Sequence, residues 1–191
     1  HLWSKAPWDK AMPQVSGFFA AYSEDAIDFD QYIQYAREIG AEPYVVVGYR
    51  NQFDAVGITE REYFENAVRW VRYARKKQYR VKYWEVGNEN WKKENNRSAS
   101  EMGAIAGEFA RAMKAEDPSI LVGSSCGSPI NWGDFLDTAN GNIDFLVVTN
   151  YLRGKWDSFD EYRNTKHIDL IPRGAGAADA IVEACIAKER G

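Results

Sequence analysis

The amino-acid sequence predicts an α/β fold, with a parallel sheet and helices packed outside it. Helix-like and strand-like segments alternate along the chain, and each of the four strand-like segments is followed by a helix-like one, which is the order of βαβ units. The strand-like segments are short and rich in β-branched residues, as in strands buried on both faces. A chain of 191 residues has the size of one domain with a substantial core.

The first helix and strand are predicted in residues 29–49. Apolar residues recur at helical spacing in FDQYIQYAREIG, and Gly40 is a typical helix stop. The β-branched run EPYVVVGY, residues 42–49, then predicts a strand.

The second and third helices each begin with a capping box, in which a Ser or Thr is followed three residues later by Glu. Thr59 with Glu62 predicts a helix that continues through residue 77, and Ser98 with Glu101 predicts one that continues through residue 116. The predicted strands that follow these two helices are VKYWEVGN, residues 81–88, and SILVGSS, residues 119–125.

The last third of the chain repeats the alternation. It predicts a short helix near residues 134–139, a fourth strand, IDFLVVTNY, at residues 143–151, and a final helix at residues 175–190.

Two architectures fit this order, a doubly wound sheet and part of a (β/α)₈ barrel, also called a TIM barrel. A nucleotide-binding doubly wound sheet usually has a glycine-rich turn after a strand, and neither GxGxxG nor GxxxxGK[ST] occurs here. The barrel is therefore favoured. A complete barrel needs about 250 residues, so we expect residues 1–191 to be a fragment of a single barrel domain, whose open sheet edges would associate with other polypeptide.

Composition argues against several classes of partner. The chain has 28 acidic and 24 basic residues without a block of like charge, so a nucleic acid or an anionic membrane surface is not expected. No apolar run approaches the roughly 20 residues that span a bilayer, and the first ten residues lack a signal-peptide pattern. Cys126 and Cys185 lie outside any CxxC motif, which predicts neither a disulfide framework nor a zinc ribbon.

Polar and aromatic residues follow every predicted strand. In a (β/α)₈ barrel the functional groups gather at the carboxyl ends of the strands, and a change from apolar strand to polar loop at one rim is what a polar ligand pocket requires. The segments concerned are residues 48–51, 87–91, 124–127 and 149–151, the last of which contains Asn150.

Glu89 is the strongest candidate for catalysis. In a partly desolvated pocket lined by Trp84 or Trp91, a carboxyl can stay protonated near neutral pH and donate its proton to a leaving oxygen, and exposed indoles can also hold the flat faces of sugars. Asn88 has both donor and acceptor groups with which to orient a sugar hydroxyl. The alternative is that Glu89 is a solvated loop carboxylate and Asn88 a turn residue.

Glu85 lies inside the same predicted strand, and we expect it to be buried, hydrogen-bonded and structural. A metal-ligand role together with Glu89 is the alternative, but no His or Asp accompanies the pair. The sequence therefore predicts no metal and no cofactor.

Residues 81–91, VKYWEVGNENW, resemble the acid/base strand of retaining glycoside hydrolases of clan A, in which an Asn-Glu pair ends the fourth barrel strand. The likeness is greatest to family 51, the α-L-arabinofuranosidase type. Three further segments resemble that family's third, fifth and sixth strands with their helices: REIGAEPYVVVGYRN, ARAMKAEDPSILVGSS and IDFLVVTNY. The resemblance implies that the chain is the central part of the catalytic barrel, about strands three to six.

The resemblance also implies a function and site residues. The activity would be retaining hydrolysis of glycosidic bonds in poly- or oligosaccharides, with Glu89 as the general acid/base and Asn88 bonded to the substrate's 2-hydroxyl. Tyr151 matches an aromatic residue of the sixth strand near the nucleophile, and Asn51 falls near a substrate-contacting amide.

Two departures from the family pattern keep alternatives open. Thr149 stands where the arabinofuranosidase pattern has a His, so another clan A activity, such as a xylosidase, glucuronidase or agarase, is a second interpretation. The family's nucleophile is a Glu at the end of the seventh strand, which we expect beyond Gly191. A non-catalytic carbohydrate-binding barrel is the third interpretation. The carboxylates near the carboxyl end of the chain are not nucleophile candidates, because they fit the solvated face of the predicted final helix: Asp179, Glu183 and Glu189.

Overall fold

A computed structural model describes residues 29–49, 59–90, 97–125, 132–148, 155–166, 168, 176, 178–183 and 186–187. Its elements in chain order are α1 (Phe29–Glu38), β1 (Tyr44–Val47), α2 (Glu60–Lys76), β2 (Tyr83–Val86), α3 (Ala99–Glu116), β3 (Leu121–Ser125), α4 (Trp132–Ala139), β4 (Phe145–Val147) and α5 (Phe159–Asn164). Positions 176, 178–183 and 186–187 are also helical, within the predicted final helix.

The four strands form one parallel sheet in the order β1-β2-β3-β4, so each strand lies beside the one that precedes it in the chain. A doubly wound sheet reverses its strand order at a switch point, and no reversal occurs among these strands. The predicted α/β fold with a parallel sheet is confirmed, and the sheet is an open section of barrel wall. Its edges in the described chain are β1 and β4.

The helices pack on one face of this sheet. Strand residues that alternate along β1, β2 and β3 share a single hydrophobic cluster with buried residues of α1 to α4. The sheet contributes Val45, Val47, Trp84, Val86 and Val122, and the helices contribute among others Phe29, Trp70, Met113 and Phe135. We call this side of the sheet the helix-facing side and the other the inner side, since helices surround the strands of a barrel.

The predicted capping boxes are both present. The Thr59 hydroxyl accepts from the Glu62 N–H at 3.2 Å while the Glu62 carboxylate accepts from the Thr59 N–H at 2.8 Å. Ser98 and Glu101 repeat the pair, with corresponding distances of 3.2 and 2.7 Å. These contacts satisfy N–H groups that a helix leaves open at its first turn.

Helix α1 ends at the predicted glycine. Gly40 has a φ of +71°, and the Ala41 N–H bonds the Ala36 carbonyl at 2.8 Å. The Gly40 N–H bonds the Arg37 carbonyl at 3.1 Å, which completes a Schellman motif. A residue with a Cβ would be strained there.

Helix α5 was not predicted. Its N-cap Ser158 accepts from the Glu161 N–H at 3.1 Å. Ser158 and Glu161 have the same spacing as the two capping boxes that were recognised, so the signal was available in the sequence.

Candidate functional site

The turn after β2, residues 87–90, contains two residues in the left-handed region of backbone space. Gly87 has a φ of +76°, and Glu89, which has a side chain, has a φ of +48°. Such a conformation is uncommon for residues other than glycine, and surrounding contacts must hold it.

Asn90 supplies contacts that hold this turn. Its Nδ2 donates to the Val86 carbonyl at 3.0 Å and to the Ser124 hydroxyl oxygen at 3.2 Å. Its backbone N–H donates to the Ser125 hydroxyl oxygen at 3.3 Å. The Ser124 hydroxyl in turn donates to the Val86 carbonyl at 2.8 Å. The turn after β2 is thereby joined to the end of β3.

The end of β1 joins the same edge. The Gly87 N–H donates to the Val47 carbonyl at 2.8 Å, which continues the β1–β2 ladder by one bond. Tyr49, two residues past β1, is buried. The structure therefore brings together the carboxyl ends of three strands, as the sequence predicted.

Glu89 is only 6% exposed. The interpretation of Glu89 as a solvated loop carboxylate does not fit this burial. Asn88 beside it is half-buried. Glu89 follows β2 at the edge of the sheet where the functional groups of a barrel gather, and it is shielded from solvent.

Glu85 occupies the inner side of the sheet. It is 4% exposed, and it accepts a hydrogen bond from the Tyr44 hydroxyl at 2.9 Å. Burial raises the pKa of Glu85 to about 7, an effect that the Tyr44 hydrogen bond partly opposes. Burial and the nearby Glu85 charge also raise the pKa of Tyr44. Glu85 is thus buried and hydrogen-bonded, as predicted.

Aromatic side chains lie on the same side of the sheet as this carboxyl. Gly123 is the register partner of Glu85 on β3, and a Cβ on Gly123 would overlap the ring of Phe145. The Phe145 ring therefore lies over Gly123, and its centroid is 6.1 Å from the rings of both Tyr44 and Tyr83.

Trp84 does not have the position that the sequence analysis gave it. Its side chain is fully buried on the helix-facing side, and its indole N–H donates to the Val81 carbonyl at 3.1 Å. The substrate-binding role predicted for Trp84 does not fit this position, because the indole presents no surface to a sugar. Neighbouring strand residues point to opposite faces, so Trp84 lies on the side opposite Glu85.

The other predicted site residues lie outside the described residues. They are Asn51, Trp91, Asn150 and Tyr151, and the same holds for Thr149.

Within the described ranges, no group of three His, Cys, Asp or Glu side chains is arranged to hold a metal ion. No described helix is long and apolar enough to cross a membrane.

Asn90 and Ser124 lie within the candidate segments, but neither residue was predicted to have a role. Their pairing depends on which residues of β2 and β3 face each other. The available signal was the pair of small polar residues at the end of β3, together with the glycine-containing turn at the end of β2.

Solved structures share this fold. An α-L-arabinofuranosidase from Thermotoga maritima, solved with arabinose, matches the whole chain with a TM-score of 0.66 and 24% identity. A thermostable GH51 α-L-arabinofuranosidase from Thermotoga petrophila also matches the whole chain, with a TM-score of 0.67 and 23% identity. A family 51 enzyme from Bifidobacterium longum matches 85% of the chain with a TM-score of 0.56 and 17% identity.

The chain has the fold of these glycosidases. It spans 41% of each Thermotoga chain and 36% of the Bifidobacterium chain, consistent with the predicted partial barrel. The family indicated by the sequence motifs is thus also the family of the structural neighbours, and at these identities the likeness establishes the fold. No family model and no curated protein matches the chain.

Proposed function

We propose that the protein to which this chain belongs is a retaining glycoside hydrolase of the α-L-arabinofuranosidase type, with Glu89 as its general acid/base. The observation that carries the proposal is the buried Glu89 carboxyl in a left-handed turn at the carboxyl end of a barrel strand. The shared fold with α-L-arabinofuranosidases supports the substrate class.

Glu89 would act twice in each catalytic cycle. It first donates its proton to the glycosidic oxygen as the bond to the sugar breaks, and it then removes a proton from the water that releases the sugar. Burial in a water-poor edge favours this use, because few solvent molecules compete with the substrate oxygen for the carboxyl.

A retaining mechanism needs a second carboxyl as nucleophile, about 5 to 5.5 Å from the first. Among the described residues that directly follow the strands, Glu89 is the one carboxylate. Glu85 is engaged with Tyr44 on the inner side and is not proposed as nucleophile. As the resemblance to family 51 implies, we propose that the nucleophile is a Glu at the end of the next barrel strand, beyond Gly191.

Substrate binding would involve Asn88, bonded to the 2-hydroxyl of the sugar. Asn51, Trp91, Asn150 and Tyr151 follow or flank the strand ends in the sequence and are proposed as further contacts at the same rim. Trp84 is excluded from this set by its burial in the core.

The test is Glu89→Gln in the full-length protein, assayed on aryl α-L-arabinofuranosides whose phenols differ in acidity. Turnover of substrates with poor leaving groups should fall about 10²- to 10⁴-fold, which is the usual contribution of general acid/base catalysis. Formation of the glycosyl-enzyme should be slowed least with dinitrophenyl substrates, because a good leaving group needs little protonation. Glu38→Gln, at an exposed position of α1, is the matched control and should behave like the parent.

Wild-type turnover by Glu89→Gln on a natural substrate would contradict the assignment. A parallel panel of nitrophenyl xylosides, glucuronides and galactosides tests the other clan A activities. Sugar binding without hydrolysis of any of these by the parent protein would favour the non-catalytic interpretation.

A further inference from the structure

Glu89 needs an external constraint to keep its place. Its φ of +48° lies in the region that residues with a Cβ rarely adopt, and such a conformation persists only where surrounding contacts hold it. The side chain of a residue in this conformation leaves the chain in a different direction from that of an extended strand residue. The direction of the Glu89 carboxyl therefore depends on whatever stabilises the turn.

Asn90, the next residue, is placed to provide that constraint. It is 2% exposed, and its amide N–H groups bond both the last carbonyl of β2 and the hydroxyl of Ser124 on β3. Its backbone N–H bonds Ser125. Three hydrogen bonds from one residue thus fix the end of the turn to two neighbouring strands, and the burial of Asn90 shields them from solvent.

Gly87 completes this arrangement from the start of the turn. A Cβ on Gly87 would overlap the side-chain amide of Asn90. The space beside Gly87 is thus taken by Asn90, and the two residues fit each other across the turn that contains Glu89.

We propose that Asn90 is a positioning residue for Glu89, which aims the acid/base carboxyl through its bonds to Val86, Ser124 and Ser125. This inference rests on the proposed function, since it assigns Asn90 a part in proton donation by Glu89. Asn90 itself has no assigned contact with substrate. Its effect is therefore expected in the step that needs the proton and not equally in every step.

The experiment uses the full-length protein and a series of aryl α-L-arabinofuranosides from dinitrophenyl to phenyl. Asn90→Leu keeps the branching at Cγ without the Nδ2 donor, and Asn90→Asp keeps the shape and replaces the donor with an acceptor. Both variants should lose about 10- to 100-fold in kcat/KM on the phenyl substrate, because a displacement of about 1 Å can cost that much. On the dinitrophenyl substrate the loss should be several-fold smaller, so kcat/KM should depend more steeply on the acidity of the leaving group than it does in the parent.

Two controls separate positioning from general damage. Asn66→Ala removes another buried Asn side chain, on α2, and should leave the leaving-group dependence unchanged even if the melting temperature falls. Ser124→Ala removes one partner of Asn90 and should steepen the dependence less than Asn90→Leu does. The Ser124→Ala variant also tests the inference if the Asn90 variants do not fold.

Glu89→Gln, measured on the same series, distinguishes the two ways of failing. One outcome is that Glu89→Gln alone makes kcat/KM depend more steeply on leaving-group acidity, with the Asn90 and Ser124 variants lowering kcat/KM equally on all substrates or not at all. That result would show that the positioning role is wrong and that the acid/base assignment stands. If Glu89→Gln leaves the dependence unchanged, the assignment of Glu89 is wrong and the inference about Asn90 falls with it.

Discussion

The two faces of the sheet differ in chemistry. The helix-facing side of β2 carries Trp84 and Val86, which are completely buried among helix side chains. The inner side carries Glu85, which accepts a hydrogen bond from Tyr44, and the ring of Phe145 lies over Gly123 on the same side. Glu85 is the one charged residue within the four strands of the described chain.

The difference shows which part of the sequence is set by packing. A continuous apolar surface on the helix-facing side needs only shape and hydrophobicity. A buried carboxyl on the inner side is costly, because ionisation is disfavoured away from water. The functional candidate lies on neither face but at the end of β2, where the chain leaves the sheet.

The largest effect on stability is expected on the helix-facing side. Trp84→Ala should lower the free energy of unfolding by about 3–5 kcal/mol, the range found when a buried aromatic side chain is truncated to Ala. Denaturant unfolding followed by circular dichroism measures this loss. Tyr35→Ala, at a side chain that is mostly exposed, should change stability by no more than about 0.5 kcal/mol. Equal losses in the two variants would contradict the packing role of Trp84.

Glu85→Gln should give a pH-dependent gain in stability. In the unfolded chain Glu85 loses its proton near its ordinary pKa of 4.5, whereas in the folded chain burial holds its pKa at about 7. The folded state binds more protons between these values, so Glu85 makes stability fall as pH rises through that window. The cost is fully present above about pH 7 and amounts to about 3 kcal/mol.

The measurement is the difference in unfolding free energy between Glu85→Gln and the parent from pH 4 to pH 8. The variant should be close to the parent at pH 4 and more stable at pH 8. A variant that is less stable than the parent at pH 8 would show that the ionised carboxylate is favourable, and the contrast between the two faces would fail.

Gly123→Ala should disturb the inner side alone. The added Cβ would overlap the Phe145 ring, and forcing an extra methyl into a packed site costs about 1–3 kcal/mol. The double variant Gly123→Ala with Phe145→Ala should recover part of this loss, measured by a double-mutant cycle. Additive losses would mean that the Phe145 ring does not lie over Gly123.

Tyr44→Phe is expected to have the smallest effect. It removes the hydroxyl that donates to Glu85, and a hydrogen bond of this kind contributes about 1 kcal/mol to stability. Combined with Glu85→Gln, it tests whether the two residues act as a pair. Independence of the two substitutions in denaturant unfolding would rule the pairing out.

Much of the fold could be predicted because its signals are local. The capping boxes at Thr59 and Ser98 and the stop at Gly40 depend on residues within a few positions of one another. The predicted strands extend beyond the observed ones; residues 42–49, for example, contain the four-residue β1. Apolar residues continue past the hydrogen-bonded ladder, and the sequence does not mark where the ladder ends.

The site was less predictable because its contacts are distant in sequence. The strand β2 is buried on both faces, so its pattern does not reveal that Trp84 faces the helices and not the pocket. The bond from Asn90 to Ser124 joins residues 34 positions apart, and it depends on the register of β2 against β3. The candidate Glu89 needed only the motif around it.

The most direct test of the central claim is Glu89→Ala in the full-length protein, assayed with a dinitrophenyl α-L-arabinofuranoside with and without sodium azide. If Glu89 is the acid/base, the variant should accumulate a glycosyl-enzyme, because no base activates water. Azide should then raise turnover about 10-fold or more and yield an arabinofuranosyl azide of retained configuration. Wild-type turnover without azide, or slow turnover that azide does not change, would contradict the claim.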